Sequence, residues 1–245
     1  MLGIIGGSGL SQLANLEFPQ RRVVRTPFGE PSGPLTQGSV RGRGVVFLAR
    51  HGDGHTIAPH EINYRANLWA LRSEKVDAVV SVASVGGIRR DFGPGVMVIP
   101  DQIVDYTWGR PATFFESSGA PVTHIDFTHP YSPGLRSRLL AAARAAGETA
   151  FDGAVYAATQ GPRLETAAEI NRLERDGAEL VGMTGMPEAA LARELGLEYA
   201  AICVVANYAA GRGDSKREIS MQGIGKVLDE AMSRVRRIID HLVQQ

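Results

Sequence analysis

Leu2-Gly3-Ile4-Ile5 runs directly into Gly6-Gly7-Ser8-Gly9. An apolar strand that ends in a glycine-rich turn carrying a hydroxyl can hold an anion. Glycines let backbone N–H groups approach a phosphate closely, and Ser8 adds a side-chain donor. Two familiar phosphate-binding folds are excluded by the details. The P-loop needs Gly-Lys-Ser/Thr after four intervening residues, and no Lys follows Gly9. The dinucleotide fingerprint needs G-x-G-x-x-G opening a helix with an acid about 20 residues on. Here the glycine spacing differs, and Phe18-Pro19 breaks a helix early. Taken alone, the loop reads equally as an anion site or as a tight turn.

Outward from that loop, apolar β-branched runs recur at Val45–Ala49, Ala78–Val85, Val96–Ile99, Ala154–Ala158, Leu180–Met183 and Tyr199–Ala206. They are nearly continuous rather than alternating, which predicts strands buried on both faces. Helical patterns lie between them. Ser132-Pro133 is an N-cap signal with Pro at the first helical position, and the run to Ala146 stops at Gly147. Pro187 to Leu195 repeats that plan and stops at Gly196. Near Gly225 to Leu242, the residues Leu228, Met232, Val235, Ile239 and Leu242 share one helix face. Alternating strands and helices predict a three-layer α/β sandwich, expected as one domain over residues 1–245.

Composition narrows the partners. Lys plus Arg and Asp plus Glu are both 26, so no net field draws in nucleic acid or an anionic membrane, and neither partner is expected. Cys203, the single cysteine, lies in an apolar run and reads as a small buried hydrophobe, which suits a reducing compartment. No signal peptide is recognised, and no stretch reaches the roughly 18 apolar residues of a membrane span. A cytoplasmic location is expected.

Polar and glycine residues collect where strands end, and ligands of open α/β sheets sit at strand carboxyl ends. Arg50 would offer a fixed fork of donors to a tetrahedral anion. Ser8, Ser84 and Thr184 would supply hydroxyls, and the Gly6–Gly9 and Ser84–Gly87 turns would supply backbone N–H groups. His51, His55 and His60 lie close together, but His51-Gly-Asp-Gly-His55 is poorly suited to a helix and no H-E-x-x-H or Cys pair accompanies it. No metal centre is expected.

These segments together carry a resemblance. Gly-Ile-Ile-Gly-Gly-Ser-Gly-Leu from Gly3, Thr26-Pro-Phe-Gly-Glu-Pro31, Leu48-Ala-Arg-His-Gly52, His55-Thr-Ile, Asn63-Tyr-Arg-Ala-Asn67, Gly161-Pro-Arg and Met183-Thr-Gly-Met-Pro-Glu188 resemble, in order, the trimeric purine nucleoside phosphorylases, specifically their 5'-methylthioadenosine phosphorylase branch. The resemblance runs from Gly3 to about Leu228. It implies a phosphorylase I type fold with a mixed, mostly parallel sheet, a homotrimer, and phosphorolysis of a purine nucleoside. Inorganic phosphate would be the co-substrate, with no cofactor. It implies that Ser8, Arg50, His51, Ser84 and Thr184 hold phosphate, and that Ser8, Arg50, His51 and Asn207 serve catalysis. Met183 would pack on the ribose, Leu164 and Ala209 would touch substrate, and His124 would reach into the neighbouring subunit's site near the 5' group. The chemistry agrees: the sugar gains oxocarbenium character and the leaving purine gains negative charge, so positioning and electrostatics suffice.

Departures from the branch indicate the substrate. Where methylthioadenosine phosphorylases carry an Asp pair after the last long strand, this chain has Asn207 and Ala209. An Asn carbonyl can accept a proton on N7 while its NH2 donates to a 6-keto oxygen. Glu165 stands where 6-oxopurine phosphorylases carry Glu and methylthioadenosine phosphorylases carry Ser; a carboxylate there accepts N1–H of a 6-oxopurine. The plainer reading is that Glu165 decorates a helix N-terminus. At the 5' end, the family's hydroxyl-binding His is replaced by Ile224, with Ile219 or Met221 nearby, which suits a methylthio group; Ile224 could instead be helix core. The expected substrate is S-methyl-5'-thioinosine. A general inosine/guanosine phosphorylase and a methylthioadenosine phosphorylase remain the alternatives.

Overall fold

Strand β5 (Ala78–Gly87) organises the sheet, because it is the strand with neighbours on three counts. In this computed structural model, which describes residues 1–116 and 122–245, its first half pairs in parallel with β1 (Leu2–Gly6) through Ala78–Ser81. Its far end pairs antiparallel with β10 (Leu180–Gly182) through Gly86 and Gly87. Along the other side it runs in parallel register with β11 (Glu198–Tyr208). Between the β1 and β10 contacts, Val82–Val85 has no strand partner on that side among the described residues, and the sheet opens there.

The remaining strands extend this frame. Beyond β1 lies β4 (Arg43–Ala49), then β3 (Leu35–Val40) and the edge strand β2 (Glu17–Arg22). Beyond β10 lie β9 (Val155–Ala158) and β7 (Gln102–Asp105), while β11 carries β6 (Met97–Ile99), which pairs β8 (Phe151–Asp152). Most pairings are parallel, and the β2–β3–β4 meander, β5–β10 and β6–β11 are antiparallel, so the sheet is mixed.

Alternate side chains of the same strands enter two cores. Ile5, Val79, Ala83, Cys203 and Val205 pack with α1 (Tyr64–Ser73) and α4 (Gly185–Glu194) on one face. Ile4, Val80, Val82, Ile202 and Val204 pack with α2 (Pro133–Ala145) and α5 (Met221–Leu242) on the other. Helix α3 (Ala167–Arg175) covers a third, smaller cluster. Burial on both faces explains why the strands read as continuous apolar runs. This is the expected three-layer α/β architecture. No helix among the described residues is long and apolar enough to cross a membrane. Cys203 is fully buried, and burial pushes its thiol up to about 12, so it behaves as a hydrophobe.

Several local expectations are corrected. Ser84–Gly87 is not a turn but the end of β5, and Asn207 lies within β11 rather than after it. A register shift between Val205 and Asn207 resets the side-chain alternation there. The last helix begins at Met221 rather than near Gly225, with Ser220 accepting from Gly223 N–H. Ser132 flanks α2, but its hydroxyl accepts from Tyr199 N–H on β11 instead of capping the helix.

Candidate active site

The opening beside Val82–Val85 is a cavity of about 450 Å³, within the range of small-molecule sites. Ser8, Arg50, His51 and Ser84 line it from the β1 loop, β4 and β5, and Met183 and Thr184 from the segment joining β10 to α4. Leu164, Glu165, Asn207, Ala209, Ile219, Ile224 and Leu228 complete the wall. Of the residues assigned from sequence, only His124 lies elsewhere: it is exposed and does not line the cavity of its own chain. The Met221 side chain falls outside the described residues.

Arg50 differs from its expected geometry. Its Nε and Nη2 donate to the two oxygens of Glu188 at 2.8 and 3.0 Å, Nη2 also donates to Ser81 Oγ, and Nη1 donates to Val82 O. The fork therefore clasps a carboxylate of α4, and only the Nη1 side is left to face the cavity. Both partners are almost fully buried, at 1% and 0% side-chain exposure. Burial opposes the Arg50 charge, but the Glu188 carboxylate outweighs it and holds the guanidinium pKa above its ordinary value. Tyr199 donates its hydroxyl to Glu188 as well. Gly7 is required here by close approach: a Cβ would stand 2.5 Å from Val82 O and 2.8 Å from Arg50 Nη1.

His51 is held differently. Its Nδ1 contacts Ile57 O at 2.9 Å, which fixes Nδ1–H as the donor and leaves Nε2 as an acceptor while the ring is neutral. Burial first, and the adjacent Arg50 charge second, push its pKa down to about 4. The His55 ring lies 4.3 Å from that of His51, and Ser8 Oγ reaches His55 Nε2 only at 3.5 Å. His60 does not join them. Among the described residues no His, Cys, Asp or Glu trio is placed to hold a metal.

At the base-reading positions, Asn207 Nδ2 donates to Tyr208 O at 2.6 Å, leaving Oδ1 and a second N–H for a ligand. Glu165 does not decorate α3. That helix is capped by Thr166 and Glu169 in a reciprocal pair, while the Glu165 carboxylate accepts from Thr159 Oγ1–H at 2.6 Å. Met183 lies against Gly161, whose φ of +62° and missing Cβ (it would meet the sulfur at 2.5 Å) make room for the thioether. Ile224 is both things expected of it, since it lines the cavity and packs against the core.

Sequence reasoning missed Glu188 and Arg110. Glu188 ends the Met183–Glu188 motif, and nothing in the local sequence marks it as buried. Arg110, 8% exposed, donates to the carbonyls of Thr159, Gln160, Met183 and Met186, tying together the two segments that carry Glu165 and Met183. A Gly-Arg-Pro sequence reads as an exposed turn, so no pattern could have found it.

The chain matches the phosphorylase superfamily over residues 1–244. It belongs to that family. It is 53% identical over 243 residues to the probable S-methyl-5'-thioinosine phosphorylase of Xanthomonas campestris, across 99% of this chain and 97% of that one. It is 45% identical to the 6-oxopurine nucleoside phosphorylase of Pyrococcus furiosus, across 88% and 82%. Among solved structures, methylthioadenosine phosphorylase from Schistosoma mansoni in complex with adenine superposes with a TM-score of 0.94 at 32% identity, across 99% of this chain and 90% of that one. This superfamily member is an enzyme, a pentosyltransferase of the nucleoside phosphorylase type.

Two outcomes follow from the buried groups. Glu188→Gln leaves the Arg50 charge unbalanced and is expected to lower stability by about 3–5 kcal/mol in denaturant unfolding; a loss below about 1 kcal/mol would contradict the pairing. His51 resists protonation down to about pH 4 when folded, while the unfolded chain takes up that proton near 6.5. Its contribution is therefore complete above pH 6.5 and is lost as pH falls toward 4, at most about 3 kcal/mol. His51→Asn should flatten the fall in Tm over that window.

Proposed function

We propose that this chain catalyses the phosphate-dependent cleavage of S-methyl-5'-thioinosine to hypoxanthine and 5-methylthioribose 1-phosphate. The observation that carries the reading is that Glu165 and Asn207 line the same cavity as Ser8, Arg50, Ser84 and Thr184. Hydroxyls, the Nη1 edge of Arg50 and the N-terminus of α4 suit a phosphate anion. His51 Nε2, an acceptor while neutral, suits a protonated phosphate oxygen. Phosphate so placed attacks C1' as the bond to the purine breaks. The departing purine keeps the electron pair of the C1'–N9 bond and takes a proton at N7 from solvent; Asn207 Oδ1 accepts the hydrogen bond from that N7–H and its free N–H donates to O6, stabilising the departing base. Glu165 accepts from N1–H, which a 6-oxopurine has and adenine lacks.

The 5' end is read from Ile219, Ile224 and Leu228, which give the cavity an apolar wall suited to a methylthio group. The relative from Xanthomonas campestris carries the name of the proposed activity. Inorganic phosphate is the co-substrate, no cofactor takes part, and the chain works as a single domain. We also propose a homotrimer in which His124 completes the cavity of a neighbouring subunit, in keeping with its exposure and with the lining of its own cavity, which does not include it; a monomeric mass by sedimentation would overturn this.

Release of free base from S-methyl-5'-thioinosine, S-methyl-5'-thioadenosine and inosine, with and without phosphate, tests the activity. The expected result is phosphate-dependent release with kcat/KM for the first at least about 100-fold above the second. Preference for inosine would overturn the 5' assignment, and efficient cleavage of S-methyl-5'-thioadenosine would overturn the 6-oxo assignment. Asn207→Asp is expected to move the ratio toward the 6-amino substrate by about tenfold or more, and an unchanged ratio would remove its role.

A further inference from the structure

Glu165 stands on the wall between two cavities. One is the site already described; the other, about 320 Å³, is lined by Tyr106, Trp108, Thr159, Gln160, Arg163 and Arg172 among others. A carboxylate in that position can face the base or turn toward two guanidinium groups. Arg163 is already paired with Glu169 through two hydrogen bonds, but Arg172 reaches its partner Asp176 only at 3.8 Å. Something has to hold Glu165 toward the purine.

We propose that Thr159 is a specificity-determining positioning residue, whose hydroxyl fixes the Glu165 carboxylate with one oxygen open to the N1–H edge of a 6-oxopurine. The inference rests on the reading of Glu165 as the acceptor for N1–H, and not on the identity of the 5' group. Thr159 follows β9 directly, and its backbone N–H donates to Gly182 O at 2.8 Å while Arg110 Nη2 donates to its carbonyl. Its backbone is thus tied on both sides. The hydroxyl has one proton and two candidate acceptors, Glu165 Oε1 at 2.6 Å and Gly182 O at 3.3 Å. Gly182 O already receives the backbone N–H, so the proton goes to the carboxylate at the shorter distance. Oε1 is then engaged and Oε2 is presented to the ligand. A short charge-assisted bond from a half-buried, backbone-anchored donor gives the carboxylate an orientation that its own rotatable bonds do not.

The test compares Thr159→Val, which keeps the shape and loses the hydroxyl, with Thr159→Ser, which keeps the hydroxyl, and with Glu165→Gln. Hypoxanthine and adenine dissociation constants are measured in the presence of phosphate, together with Tm. Thr159→Val is expected to weaken hypoxanthine by about tenfold while adenine changes by less than about twofold, and Thr159→Ser to recover most of the loss. Equal weakening of both bases, or no change, would overturn the proposal. If Glu165→Gln alters the preference and Thr159→Val does not, Thr159 alone is overturned. If Glu165→Gln leaves the preference intact, the reading of Glu165 fails and Thr159 falls with it. Should Thr159→Val not fold, Thr159→Ala with the same readouts decides the matter.

Discussion

The buried pairing of Arg50 with Glu188 is the interaction around which the rest is arranged. It joins the end of β4 to the first turns of α4, and through Ser81, Val82 and Tyr199 it also reaches β5 and β11. A guanidinium out of water needs a partner in good geometry, and two parallel hydrogen bonds to one carboxylate provide it. The consequence for chemistry is that a positive group stands beside the Gly6–Gly9 loop without being free to rearrange. Its orientation is settled before any ligand arrives, which is the condition under which a fixed charge assists a transition state.

Around that pair the sheet opens to form the proposed phosphate site, where β1 has ended and β10 has not begun, with neither a P-loop nor a dinucleotide fingerprint in the sequence. The residues lining it come from separate stretches of chain: Ser8 from the first loop, Arg50 and His51 from the turn after β4, Ser84 from β5 and Thr184 from the start of α4. Arg110 ties the last of these stretches to the one carrying Glu165 by giving donors to the carbonyls of Met183, Met186 and Gln160. That choice satisfies the irregular backbone on which Met183 and Glu165 depend, at positions where no regular ladder could do so.

What could be read from the sequence follows from locality. Val45–Ala49, Ala78–Val85 and Tyr199–Ala206 announce themselves because burial on both faces demands unbroken apolar runs, and the glycine punctuation marks the ends of α2 and α4. Edge strand β2 could not be seen, since all of Glu17–Arg22 is exposed and carries no period. The gathering of Ser8, Glu165 and Asn207 in one cavity was legible only through the resemblance, because their sequence separation holds no local signal. The partner of Arg50 was not legible at all: Glu188 lies 138 residues away and has the look of an ordinary helix acid. Ser84–Gly87 misled for a physical reason, as glycines that permit a turn also permit the close packing of a strand end against Phe92 and Val181.

The gap in the sheet beside Val82–Val85 has a consequence for how such proteins diversify. Its width is set by backbone hydrogen bonds, β1 to β5 on one side and β10 to β5 on the other, and not by the side chains that line it. The slot is therefore inherited as geometry, while its lining is inherited as spelling. A lining that changes by spelling alone leaves that frame untouched, in keeping with the TM-score of 0.94 that this chain keeps to a Schistosoma mansoni methylthioadenosine phosphorylase at 32% identity.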